Sequence, residues 1–308
     1  MKALAGFIVS GRFQAILSAS LCGMLAFLLP PFSTLTNYLG AAVVSLVTLR
    51  IGVQQGLLVL VGATVVTMVF YRITGVSAAT VAVTISMLWV PSWLISLVLR
   101  RTVNLAFAIL AAAALGILTL VMIYLVAGDP APWWHEHLLQ IRSAVEAAGL
   151  FPHGVSIDDL LQELARLMTG VVLASLGLGA VCSLLLGRWW QAMLVNPGGL
   201  HSEFCSLRYP AAIAALLLGV MVFSQLTQGA ASSMAAQAVL IMLVPYLFAG
   251  LAVLHGLVAR QGRGKGWLFA VYVLLGIVPQ TALLLAGLGL VDTWVDFRRR
   301  FAGGTPQH

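Results

Sequence analysis

The chain has 308 residues, of which 61% are hydrophobic and only 8% charged. A soluble domain carries about 25% charged residues, so an ordinary soluble globular fold is excluded. The net charge of +7, from 16 basic and 9 acidic residues, is scattered through short connections. That pattern argues against a nucleic-acid partner and for orientation signals in a lipid bilayer.

Apolar runs of 17 or more residues recur along the chain. They are continuous rather than alternating, which predicts membrane helices and not a barrel. The predicted fold is all-α, a polytopic transmembrane helical bundle of 8–9 spans, forming a single integral membrane domain over residues 1–308. Residues 1–12 read as an interfacial lead, and the run from Phe13 as a retained first helix rather than a cleaved signal, because another span follows at once. The predicted spans are Phe13–Leu29, ended by Pro30 and Pro31, then Ser33–Leu49, Leu57–Tyr71, Val76–Leu99 with a kink at Pro91, and Leu105–Val126.

Residues 128–166 hold most of the acidic residues and read as an amphipathic insertion outside the membrane. Its first helix would place Leu138, Ile141, Val145 and Ala148 on one face. Its second would start at Ser156, with Asp159 three residues on in a capping-box pattern, and run into the span Gly170–Leu186. A helix from Ile157 to Trp190 would be about 51 Å long at 1.5 Å per residue. That exceeds a hydrocarbon core of about 30 Å, so it should protrude or bend.

The stretch 187–210, GRWWQAMLVNPGGLHSEFCSLRYP, reads as a cytoplasmic loop, with Asn196-Pro197-Gly198-Gly199 as its turn. Predicted spans Ala211–Leu226 and Ala235–Val258 follow. The last apolar run, Trp267–Val291, is divided at Pro279–Gln280. It is read as one ordinary span in preference to a re-entrant hairpin, because proline is common inside membrane helices. Arg100 and Arg101, Arg188 and Arg208, and Arg260, Arg263 and Lys265 fall in alternate connections. The positive-inside rule then puts these connections and the N-terminus on the cytoplasmic side. Arg50-x-Gly52-x-x-x-Gly56 and Arg260-x-Gly262-x-x-x-Gly266 share a spacing. Both read as ordinary short turns, with a duplicated helix pair as the alternative.

The pieces WWQAMLVNPGG with the following EF and LR (189–208), LHGLVARQGRGKGW (254–267) and LGLVDTWVDFRRR (288–300) resemble the YybS-like family of bacterial polytopic inner-membrane proteins. The turn LRIGVQQGLL (49–58) also resembles one in substrate-capture subunits of energy-coupling-factor vitamin transporters. This second resemblance implies a transporter-like helical fold, while the activity of the first family is not established. Neither implies a particular cargo.

Strongly polar groups at membrane depth are costly and therefore informative. The ligand-binding candidates are Asn37, Gln225, Gln280 and His255, each with a plain interhelical hydrogen bond as its alternative. The partner-contact candidates are Trp189, Trp190, Asn196, Pro197, Gly198, Gly199, Glu203 and Arg208. The two tryptophans also suit an interfacial anchor, and Glu203 should pair with Arg188 or Arg208. Cys22 and Cys182 read as small buried hydrophobes. Three cysteines without a CxxC give no disulfide framework or zinc site. HEH at 135–137 is not HExxH, and no Walker A or GxSxG is present, so no enzyme activity, metal or cofactor is expected. The sequence reads as a transporter-like solute-binding membrane subunit, with a membrane scaffold or assembly protein as the alternative. Its expected partners are the lipid bilayer and a protein docking on 187–210.

Overall fold

A computed structural model describes residues 1–73, 75–142, 156–260 and 266–300. The described residues are helical, without a strand. The helices are α1 (Lys2–Val9), α2 (Arg12–Leu28), α3 (Ser33–Arg50), α4 (Val53–Ile73), α5 (Ala78–Thr102), α6 (Leu105–Ala127) and α7 (Ala131–Leu139). They continue as α8 (Ile157–Val195), α9 (Gly199–Cys205), α10 (Ala211–Leu226), α11 (Gly229–Arg260), α12 (Gly266–Ile277) and α13 (Gln280–Val295). A last turn covers Phe297–Arg300.

Six of the described helices are long and apolar enough to cross a membrane, or seven if α1 and α2, bent by 119°, form one span. The bend separates α1 from α2, and α1 packs Ala5 and Ile8 into the core. A Cβ on Gly62 of α4 would meet Ile16, and the Tyr71 hydroxyl at the far end of α4 donates to the Met24 carbonyl. So α2 traverses beside α4 in the same direction. The 16-residue α10 is apolar but shorter than these, and the Ser232 hydroxyl at the start of α11 donates to the Ser224 carbonyl at its end. The six or seven membrane-length helices among the described residues fall slightly below the expected eight to nine spans.

α3 lies at the centre, with its residues from Gly40 to Leu49 buried. Small residues let its neighbours come close. A Cβ on Gly179 of α8 would meet the Tyr38 ring, and one on Gly187 would meet Ser45 and the Ala42 carbonyl. Backbones approach in this way where small residues replace the hydrophobic drive that lipid removes. At the end where α3 stops, Arg100 donates to the Leu49 carbonyl at 2.6 Å and Gln191 donates to the same oxygen at 3.3 Å. The connections bearing Arg50, Arg100 and Arg188 therefore share one face of the bundle, as their alternation predicts.

α8 is a single 39-residue helix, about 58 Å long at 1.5 Å per residue. The Ser156 hydroxyl accepts from the Asp159 N–H at 3.4 Å, so the predicted cap is present. Toward its N-terminal end α7 folds onto it, the Trp134 indole donating to the Thr169 hydroxyl at 2.8 Å. α7 is only nine residues long. Val145 and Ala148, assigned to the same face as Leu138, lie outside the described residues, as does Gly262 of the Arg–Gly echo.

Two expectations are corrected. The stretch 187–210 is not one loop, because α8 continues through it to Val195 and α9 occupies Gly199–Cys205. The run after Gly266 is not one ordinary span either. It breaks after Ile277 into α12 and α13. Tyr272 of α12 shares a hydrogen bond with His255 near the end of α11. Arg298, just past α13, donates to the Cys205 and Leu207 carbonyls at 2.7 and 2.9 Å. Both feet of the pair thus stand at the arginine-bearing face. At 12 and 16 residues, or about 18 and 24 Å, each arm is shorter than the core it would have to cross. The pair is a re-entrant hairpin. Proline at position 279 cannot supply the N–H that would continue α12.

Candidate functional site

The hairpin is held against α11 by a close crossing. A Cβ on Gly250 would fall on the Leu285 carbonyl, and one on Gly289 would lie 2.6 Å from the Gly250 nitrogen. A second fixture is ionic. Asp292 and Arg298 pair at 2.7 Å with side chains 3% and 10% exposed. The other Asp292 oxygen accepts from the Phe297 N–H at 2.9 Å, and Arg208 pairs with Asp296 at 2.7 Å. The chain can turn back here because Asp296 adopts the left-handed conformation at φ 52°, which aspartate tolerates better than most residues.

Between α8, α9, α11 and the hairpin lies a cleft of about 820 Å³, within the range of small-molecule sites. Leu185 and Met193 of α8, Phe248 and Leu251 of α11, and Leu275 and Ala282 of the hairpin give it an apolar body. His201, His255 and Tyr272 give it one polar pole. The His255 and Tyr272 side chains hydrogen-bond at 3.0 Å, and the Phe204 ring meets His255 edge-on. Among the described residues no group of three His, Cys, Asp or Glu side chains is placed to hold a metal.

The predicted site residues divide. His255, Trp189, Pro197 and Gly198 line the cleft. Asn196 to Gly199 form the predicted turn, with the Gly199 N–H on the Asn196 carbonyl at 3.0 Å. Gly198 supplies φ +90° at the third position of a type II turn, behind Pro197. Glu203 pairs with Arg188, accepting from its Nε at 3.0 Å, and Arg208 turns instead to Asp296. Trp190 is buried at 2% exposure, packed in the core rather than anchored at an interface, whereas Trp189 is exposed. Cys182 is exposed and lines the cleft, so it is not a buried core residue.

Asn37 does not line this cleft. Its Oδ1 accepts from the Trp89 indole at 2.8 Å, tying α3 to α5, and it borders a separate 500 Å³ cavity with Thr34 and Ser175. Gln225 and Gln280 are exposed. The structure does not gather Asn37, Gln225 and Gln280 into one site. Sequence reasoning missed Tyr272 and the Asp292–Arg298 pair. Two carboxylates at the edge of an apolar run, followed by arginines, were the available signal for the pair. A single tyrosine in an apolar run gave none for Tyr272.

A family model described as "Predicted membrane protein (DUF2232)" matches residues 16–293. No curated protein and no solved structure matches the chain.

Proposed function

The chain belongs to this DUF2232 family of predicted membrane proteins, and we propose that it is a transporter-like solute-binding subunit whose site is the hairpin-walled cleft. The observation that carries this is the broken backbone at Pro279, which lines the cleft. Interrupted helices persist at membrane depth where they are buried in protein or line a cavity, and transporters build sites from them. The lining selects a mostly apolar solute with one polar group, met by His201, His255 and Tyr272. The YybS-like motifs and the capture-subunit-like turn at 49–58 agree with this reading. So does a cytoplasmic placement of the arginine-bearing face and N-terminus in a bacterial inner membrane. Energy would come from a partner protein docking beside α9.

The alternative is a non-transporting scaffold for envelope complexes. It is favoured by the exposure of Gln225 and Gln280, which places neither in a cavity of the bundle. The deciding experiment is purification from native membranes with identification of bound small molecules, on the wild type and on Ala282→Trp. Ala282 lines the cleft, so tryptophan there should expel a bound solute. A solute retained equally by both proteins, or found in neither, would reject the cleft as a site.

A further inference from the structure

A second cavity, of about 870 Å³, lies between α5, α6, α7 and α8, at the opposite end from the cleft. Its deep part is apolar, walled by Val90, Ala112, Leu115 and Leu176. Its mouth carries Asp129, Trp133 and Trp134. The two indoles meet edge to face with centroids 4.7 Å apart, and Trp134 is oriented by its bond to Thr169. Pro91 and Met87 also line the cavity. Proline has no N–H for the carbonyl four residues earlier, so the Met87 carbonyl lacks its helical partner. No lysine or arginine is among the described lining residues.

The mouth therefore offers a carboxylate and two indole rings, Trp133 backed by the His137 ring at 4.0 Å, and deeper in the wall lies a carbonyl freed from its helix. These groups attract cations, aromatic faces by cation–π attraction and a carboxylate by charge. An anionic head would meet only repulsion from Asp129. The geometry points to a binding site for a single-chain cationic amphiphile, its ammonium head between Asp129 and the Trp133–Trp134 pair and its tail along α8. It needs no residue of the cleft.

The test is native mass spectrometry of the full-length protein in maltoside micelles, titrated with dodecyltrimethylammonium and, separately, dodecyl sulfate. The expected result is one saturable copy of the ammonium probe and no saturable binding of the sulfate. Asp129→Asn keeps the oxygen that caps α7 by accepting from the Ala131 N–H, and should weaken the ammonium probe at least ten-fold. Gly177 lines the cavity, and a Cβ there meets nothing within 4 Å. Gly177→Leu should therefore fill the cavity and abolish binding while the melting temperature holds. The proposal is overturned if the wild type binds no ammonium probe, if it binds the sulfate equally, or if Asp129→Asn binds as the wild type does. Undiminished binding to folded Gly177→Leu would place the probe elsewhere and overturn it too.

Discussion

Arg298 and Asp292 form a buried ion pair six residues apart, and the same guanidinium donates to the Cys205 and Leu207 carbonyls. One side chain therefore joins the end of the re-entrant hairpin to the connection between α9 and α10. The apolar run and the polar stretch that bound the cleft are fixed to each other at this point.

Removing one partner of a buried pair leaves an uncompensated charge and costs about 3–5 kcal/mol. Asp292→Asn keeps an acceptor for the Phe297 N–H but removes the carboxylate charge that pairs with Arg298. Its expected effect is a loss of that size in equilibrium unfolding of the detergent-solubilised protein. A loss below about 1 kcal/mol, the scale of an exposed pair, would show that the pair is solvated.

The crossing of α11 and α13 depends on two glycines. Gly250→Val forces a side chain onto the Leu285 carbonyl, and overpacking of this kind costs about 1–3 kcal/mol or more. Gly276, on the same hairpin, meets nothing within 4 Å. There alanine should be neutral or gain up to about 1 kcal/mol from helix propensity. Thermal melts of both variants check the contrast, and equal melting temperatures would contradict the close crossing.

Asn37→Ala removes the 2.8 Å acceptor of the Trp89 indole. The Asn37 carbonyl, at 3.2 Å, still accepts from it. The expected cost is about 1 kcal/mol, that of one hydrogen bond, with solute retention in the cleft unchanged. Loss of the solute on this substitution would place the binding site at α3 instead.

Much of the fold was legible because lipid imposes it. Apolar runs of fixed length must be helices there, and Ser156 announced the start of the long α8. The alternating arginines placed the connections bearing Arg50, Arg100 and Arg188 on one face. The hairpin was less legible, because Pro279 is compatible both with a kinked span and with a reversal. What decides it is the pairing of Arg298 with carbonyls about 90 residues earlier, and no local pattern encodes that. Trp190 was misplaced for a similar reason, since it lies three residues past Gly187, on the face of α8 that packs against α3. The cleft combines side chains from 178 to 282, so its polar pole became visible only once α11 and the hairpin had been brought together. His255 was found by its polarity alone.

The central claim is that residues 266–295 enter from and return to the arginine-bearing face. With the three native cysteines replaced, Ser202→Cys, Trp294→Cys, Glu136→Cys and Gly276→Cys can each be labelled in intact spheroplasts and in inverted vesicles with a membrane-impermeant maleimide. Positions 202 and 294 should react from the same side, 136 from the other, and 276, near the tip of the hairpin, from neither. Reaction of position 294 from the same side as 136 would make the last run an ordinary span and contradict the account.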